Sequence, residues 1–302
     1  ILTDAEKAIV AAKEEFDKLA GKRIAYFSFD DTENGFQSEY AKAVNKGTPI
    51  LAEVGKKGKA LSLDGTGANY LTVTAKDGRP LLTAYDEITL CYWGKSHKMN
   101  VGNWIFYAAE DDQAPTYLKE NYTGVIDRGD GIEIQRYKNS GSRPVSLNGS
   151  FAADEWKYIT IVIRKDKTEL YINGEKSGEE ASSYLLSDIL GDDSVCYIGR
   201  ANWENGEYFK GLIDEYSIYN YAMTEEDVAI EYQQARPAQE IADEVSALIK
   251  GIGTVELTEE SRAKINEARE AYDALTEEQK KLVDSSIFTL LENAEADYKK
   301  LE

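Results

Sequence analysis

The chain is 302 residues long, 42% hydrophobic and 30% charged, with 35 basic against 55 acidic side chains and a net charge of −20. These proportions describe a globular chain with room for one large and one small domain, and they exclude nucleic acid as a partner, because phosphate recognition needs a basic surface. No run approaches the roughly 18 apolar residues that cross a bilayer, so no membrane insertion is expected. The opening stretch, ILTDAEKAIVAAKEEF, has neither the basic nor the apolar region of a signal peptide. It reads as an excised or mature portion of a longer chain, which leaves secretion open.

Residues 3–20 read as a helix. Thr3 and Glu6 fit a capping box, Ile9, Ala12, Phe16 and Leu19 recur at helical spacing, and Gly21 stops it. From Lys22 to about Tyr219 the period changes to two. RIAYFSF, YLTV, EITLCYW, GIEIQRY, YITIVIR, TELYI, VCYIG and LIDEYSIY are rich in β-branched and aromatic residues. Asp64-Gly65, Asp77-Gly78, Asp130-Gly131 and Asn173-Gly174 mark turns between them, and the last, directly after TELYI, is a hairpin signal. Many short strands with polar turns predict a mainly β protein, a two-sheet antiparallel jelly-roll sandwich.

From Pro237 onward the period returns to 3.6. Ile241, Val245, Leu248, Ile249 and Ile252 form one stripe; Ile265, Ala268, Tyr272 and Leu275 a second; Leu282, Val283, Ile287, Leu290, Leu291, Ala294 and Tyr298 a third. Thr276 to Gln279 is a capping box between the second and third. The expected organisation is an N-terminal helix or linker over 1–21, the jelly roll over 22–234 and a three-helix bundle spacer over 235–302.

Both cysteines, Cys91 and Cys196, lie in apolar strands outside any CxxC pair. Two buried thiols are the simpler reading, and a single disulfide between neighbouring strands stays open. With His97 as the one histidine, a zinc site is not expected.

Four passages, in order, resemble the LamG-like branch of the concanavalin A-like lectin/glucanase superfamily. They are RIAYFSFDDTENGF, GKALSLDGTGANYLTV, the pair ITLCYWGK and WKYITIVIRKDKTELYINGEKSG, and CYIGRANWENGEYFKGLIDEYSIYNYAMTEEDVAIEY. The similarity covers about residues 22–234. The helical end, VSALIKGIGTVELTEESRAKINEAREAYDALTEEQKKLV, resembles a spacer module of Gram-positive surface proteins. Together these resemblances imply an exported, secreted or cell-surface bacterial protein built of several modules.

Two adjacent carboxylates, Asp214 and Glu215, interrupt the strand GLIDEYSIY. Strict alternation places Leu212, Asp214, Tyr216 and Ile218 on one face, so one carboxylate points at something buried, where a charge needs a partner. In the resembled family the first and last strands are neighbours, and a structural calcium often sits beside them. The expectation is therefore a calcium held by Asp30 and Asp214, with Asp31 and Asn34 as helpers, since oxygen-only ligands suit calcium. The alternative is that Asp214 accepts backbone N–H bonds or pairs with a basic side chain while Asp30 caps a turn.

Sugar recognition combines an aromatic platform with a few orienting polar groups. Trp93 and Trp156 occupy strand positions that the family fills with packing tryptophans. Trp203, in the polar loop GRANWENGEY, and Trp104, after a polar loop, are the candidate ligand-binding aromatics, with Asn202, Tyr107, Arg136 and Tyr137 as partners. The competing reading folds Trp203 back over the sandwich edge and leaves Arg136 and Tyr137 on a solvated strand face. No catalytic residue is expected. The Glu-x-Asp-x-x-Glu string of the glucanase branch is absent, Glu133 stands alone in its strand, and Asp154-Glu155 falls in a loop.

The sequence reading is thus a non-catalytic carbohydrate-binding module, attached to a glycoside hydrolase or adhesin in the parent chain, with a glycan or polysaccharide as partner. A protein-binding adhesion module or a purely structural spacer is the alternative, and a glycosidase the remote one.

Overall fold

The computed structural model describes residues 21–99, 102–114, 121–139, 149–150, 152–203 and 207–302. The helix expected over 3–20 lies outside them. The chain divides into two compact units, Ile1–Gln233 and Gln234–Glu302.

The first unit is a β-sandwich. In chain order its strands are β1 (Arg23–Phe27), β2 (Ala41–Asn45), β3 (Leu51–Ala52), β4 (Ala60–Asp64), β5 (Leu71–Ala75), β6 (Ile88–Ser96), β7 (Trp104–Ala109) and β8 (Tyr122–Asp127). They continue with β9 (Gly131–Tyr137), β10 (Gly149–Ser150), β11 (Lys157–Ile163), β12 (Lys167–Ile172) and β13 (Glu175–Ala181). A single helical turn, α1 (Leu186–Ile189), precedes β14 (Val195–Ile198) and β15 (Lys210–Tyr219), and helix α2 (Glu225–Ala235) follows. Thr224 caps α2: its hydroxyl accepts from Asp227 N at 3.1 Å, and the Asp227 carboxylate accepts from Thr224 N at 2.9 Å.

One sheet runs β13-β12-β11-β6-β15-β4-β3, with β1 also on β15; the other runs β10-β9-β8-β7-β14-β5-β2. All pairings are antiparallel. The fold class read from the two-residue period is the one observed. The Asn173-Gly174 turn joins β12 to β13 with both residues left-handed, at φ of 52° and 80°, which matches the twist of the flanking strands.

The period explains the core. Leu71 and Val73 of β5, Ile105, Phe106 and Ala108 of β7, Val125 of β8, Ile132 and Ile134 of β9, and Cys196 and Ile198 of β14 face the opposite sheet. They meet Leu90 and Tyr92 of β6, Ile159, Ile161 and Ile163 of β11, and Ile213, Tyr216 and Ile218 of β15. Full burial of each such aliphatic side chain contributes about 1.5–3 kcal/mol.

The second unit holds α3 (Ala238–Gly251), α4 (Glu259–Asp273), α5 (Glu277–Leu282) and α6 (Ser285–Leu301). Three long helices pack on Ala242, Val245, Ile249, Ile265, Ala268, Leu291 and Ala294. Arg269 of α4 clasps Glu295 of α6 through two N–H···O bonds of 2.6 and 2.7 Å. The third apolar stripe is divided. Thr276 and Gln279 form their capping box on the short α5, and Val283 is extended. Asp284 then accepts from Ser286 N at 2.7 Å and starts α6 afresh. Among the described residues no helix is long and apolar enough to cross a membrane.

Cys91 and Cys196 are both free and buried. Burial pushes both thiols up, that of Cys196 to about 12. An aromatic disulfide reagent should therefore titrate no thiol in native buffer and two after denaturation. A disulfide recovered by non-reducing peptide mapping would contradict this arrangement.

Candidate functional site

The two carboxylates of β15 sit on a β-bulge. The register of β15 against β6 shifts between Asp214 and Ser217, and Glu215 has φ of 51°. The extra residue breaks the alternation. Ile213 faces the core, Asp214 and Glu215 do not, and Tyr216 and Ile218 face it again. The strict alternation that placed Asp214 beside Tyr216 is corrected accordingly.

The segment between β3 and β4, Glu53-Val54-Gly55-Lys56-Lys57-Gly58-Lys59, forms a strap over the bulge. Asp214 is fully buried under it. Its Oδ2 accepts from the backbone N–H groups of Lys56 and Lys57, both at 2.8 Å, and its Oδ1 from Glu215 N at 2.8 Å. Glu215 accepts from Tyr26 Oη at 2.9 Å and from Lys57 Nζ at 3.0 Å. Lys56 Nζ lies 4.3 Å from the centre of the Trp93 ring. The strap comes this close because two of its residues lack side chains. A Cβ on Gly55 would stand 2.7 Å from Asp214 Oδ2, and one on Gly58, at φ of 59°, 2.0 Å from Asp30 Oδ1.

Three of the four residues expected to hold calcium are thus engaged by N–H donors. Asp214 takes three backbone donors. Asp30 is exposed and its Oδ1 accepts from Lys59 N at 3.0 Å. Asp31 Oδ1 accepts from Glu33 N and Asn34 N at 2.8 and 2.6 Å, closing a turn of its own. A ring of N–H donors around a carboxylate is the surrounding of an anion, so the set does not fit a calcium shell, whose partners are all oxygens. Among the described residues no group of three or more His, Cys, Asp or Glu stands where it could hold a metal ion.

The aromatic candidates fall on the other sheet, on its face away from the inter-sheet core. Trp104 and Tyr107 of β7, Tyr122 of β8, Tyr137 of β9 and Tyr197 of β14 pack there in a layer of their own. Trp104 meets Tyr107 and Tyr122 edge-on at 5.4 and 5.8 Å; Tyr122 meets Tyr137 edge-on at 5.1 Å. Gly124 makes room for this, since a Cβ there would lie 2.6 Å from the Trp104 ring. The Trp104 indole N–H donates to Glu207 Oε2. Trp104, Tyr107 and Tyr137 are buried, which corrects the expectation of an exposed Trp104. A bulge between Trp104 and Phe106 turns the indole onto the layer instead of leaving it at the strand mouth.

Trp203 is half-buried and meets Tyr122 edge-on at 5.9 Å. Beside it Asn202 is buried; its Nδ2 donates to Asp111 O at 3.0 Å and its Oδ1 accepts from Arg200 Nη2 at 3.3 Å. Arg136 stands apart. As the neighbour of Tyr137 in β9 it points to the opposite face, is buried, and donates from Nη1 to Arg164 O at 2.7 Å. Burial pulls it down to about 10. It does not join the aromatic set.

Three contributors escaped the sequence reading. Tyr70 and Tyr208, both half-exposed, stack near-parallel at 6.3 Å, and Arg200 lies over Tyr70 and Tyr197 at 4.6 and 4.7 Å. The signal for Tyr70 was present: it alternates with the core residues Leu71 and Val73 only if it faces outward. A polar relay completes the face. Tyr122 Oη donates to Gln135 Oε1 at 2.7 Å, Gln135 to Glu133, and Arg128 to Glu133 at 3.0 Å.

Residues 64–229, more than half of the chain, match a laminin G-type family model described as concanavalin A-like lectin/glucanases superfamily. The chain belongs to that superfamily. No curated protein matches it. Among solved structures, domain 4 of AbnA, an extracellular arabinanase from Geobacillus stearothermophilus, in complex with arabinotriose, superposes with a TM-score of 0.51 at 20% identity. That match covers 70% of this chain and 98% of that one. The binding domain of botulinum neurotoxin serotype C1 gives 0.52 at 13% identity, covering 72% of this chain and 52% of the toxin domain, so the likeness spans about half of that domain's length. At these identities both show the fold.

Two outcomes follow from the strap. Chelator treatment should leave the melting temperature unchanged, and re-dialysed protein should retain no calcium; a chelator-sensitive melt would contradict the N–H-clamped geometry. Burial, with the Glu215 charge adding to it, pushes Asp214 up to about 7 against the pull of its N–H donors. Because the folded pKa lies above the unfolded one, the stability it contributes is full below about pH 4 and is lost as pH rises through 7. Asp214→Asn should abolish this loss: between pH 5 and 8 the wild type should lose about 2 kcal/mol more than the variant in urea unfolding. Equal losses would contradict it.

Proposed function

We propose that the β-sandwich is a non-catalytic carbohydrate-binding module that holds an exported bacterial protein of several modules, a glycoside hydrolase or an adhesin, on a glycan. The observation that carries this reading is the aromatic layer on the outer face of the second sheet. Outside the inter-sheet core a second cluster packs, built on seven large aromatic side chains, Tyr70, Trp104, Tyr107, Tyr122, Tyr137, Tyr197 and Trp203. Its buried rings hold Trp203 and Tyr70 half-exposed at its margins, as rigid surfaces that lose little entropy when a sugar ring stacks on them. Arg200 and Asn202, fixed by their own hydrogen bonds, supply orienting polar groups.

The outer face of the first sheet is taken up differently. Trp93 and Tyr158 pack against Tyr232 of α2 at 6.1 and 5.8 Å, and the strap closes over Asp214. The resemblance to a domain crystallised with arabinotriose supports the reading through the fold. In this account the helical unit is a spacer to neighbouring modules of the same chain.

A glycan and polysaccharide array, run on the wild type and on Trp203→Ala, tests the reading. The wild type should bind a defined set of saccharides, and the variant should weaken binding at least about tenfold while melting like the wild type, because a stacked aromatic anchor is worth more than 1.4 kcal/mol. Binding to no saccharide, or undiminished binding by the folded variant, would overturn it.

A further inference from the structure

Neither Arg200 nor Lys46 has a carboxylate partner among the described residues, although acidic side chains outnumber basic ones 55 to 35. Both stand at one place. Lys46 Nζ is 5.2 Å from the centre of the Tyr70 ring, and the Arg200 guanidinium is 4.6 Å from it. Lys46 is exposed, and its ammonium makes only a long contact, 3.4 Å, to Gly67 O.

The tyrosine pair itself is built. A Cβ on Gly67, at φ of 75°, would fall 2.3 Å from Tyr208 Cζ, so the ring rests directly on the backbone of the turn after β4. Tyr70 is fixed on its other side by the edge contact with Tyr197 at 5.9 Å and by a 2.9 Å hydrogen bond from Arg200 Nη1 to its hydroxyl. Arg200 also donates from Nε to Ala201 O at 3.2 Å and from Nη2 to Asn202 Oδ1 at 3.3 Å. Three of the five guanidinium N–H donors are then used, which leaves two for a ligand. The nearby acids are spoken for: Glu207 accepts from the Trp104 indole, and Asp64 accepts from Thr66 N and Oγ1 at 2.9 and 2.7 Å. Asp111 and Asp112, on the loop that Asn202 Nδ2 reaches, accept from Gln113 N and Nε2, and the Asp112 charge, which reaches Tyr197, opposes an anion there.

We propose that Tyr70, Tyr208, Arg200 and Lys46 form a subsite for a carboxylate-bearing sugar unit, a uronate or a sialate, joined to the Trp203 platform through Asn202. The inference rests on the carbohydrate-binding reading and narrows it to an acidic ligand. The sugar ring lies against the half-exposed rim of the tyrosine pair, whose faces are taken by each other, by Gly67 and by Arg200, and its carboxylate takes charge-assisted hydrogen bonds from the Lys46 ammonium and the two free Arg200 donors. An exposed pair of this kind is screened by salt, so the preference for acid weakens as ionic strength rises.

Calorimetric titration with an oligogalacturonide and its carboxyl-reduced counterpart, and with sialyllactose and lactose, tests the assignment and separates the two acid sources. The wild type should bind one acidic ligand severalfold more tightly than its neutral partner, with the difference shrinking in high salt. Lys46→Gln should weaken the acidic ligand by roughly two- to fivefold and leave the neutral one unchanged, and Lys46→Arg should restore it. Tyr208→Ala should weaken both. Equal binding of acidic and neutral ligands, or an equal effect of Lys46→Gln on both, overturns the subsite while the carbohydrate-binding reading stands. Binding of none of the four, together with an empty glycan array, overturns both.

Discussion

The sandwich turns on one extra residue. β15 is the strand on which the first sheet is assembled: β6 lies along one side, and β4 and β1 share the other, end to end. At their junction the ladder cannot continue unbroken, and the Asp214–Glu215 bulge absorbs the discontinuity. A bulge leaves backbone groups unpaired, and a buried unpaired N–H group costs about 1–3 kcal/mol. Asp214 meets that demand for Glu215, and in the same step captures two N–H groups of the strap that arrive from about 157 residues away in the chain. Every donor around its carboxylate is a rigid backbone dipole, which the glycines at 55 and 58 let approach and which pulls against the burial that disfavours the charge.

That constraint divides the labour between the two sheets. The first sheet has its outer face occupied by the strap and by α2. The second sheet carries no such cover from the strap, and its outer face is instead built of rings held mostly edge to face, with Tyr107 stacked on Tyr122 at 5.2 Å. Edge-to-face packing fixes ring orientation more strictly than aliphatic packing does. The half-exposed aromatics at the margin therefore sit on a stiff base, which is what a surface needs to bind a flat, weakly polar ligand without losing its binding energy to reordering.

Most of the fold was legible in the sequence because its information is local. Alternation marks a strand, Asn-Gly marks the hairpin, and Thr276 with Gln279 marks a cap, each within a few residues. The bulge was not legible, because alternation presumes one residue per step and Asp214-Glu215 supplies one too many. The strap's role was hidden for a related reason: EVGKKGK looks like a solvated basic loop until the strand it covers is known. Trp104 was misjudged from its polar neighbours, since what packs on it are side chains of β7 and β8 and the Glu207 carboxylate. Tyr70 and Tyr208 were missed because their partnership joins a turn after β4 to the approach to β15, and no period connects them. Arg136 and Tyr137 show the simplest limit: adjacent in sequence, they face opposite sides of one strand.

The account's central claim is that ligand binds at the margin of the aromatic layer on the second sheet, and that the acidic bulge of the first sheet only holds the fold together. Amide hydrogen exchange with and without a saturating bound oligosaccharide tests it most directly. Protection confined to residues 66–72 and 197–203 and 207–209, with the strap at 53–59 and the turn at 30–35 unchanged, is the predicted result. Protection that appears in the strap and the 30–35 turn while the segment around Trp203 exchanges as before would contradict it.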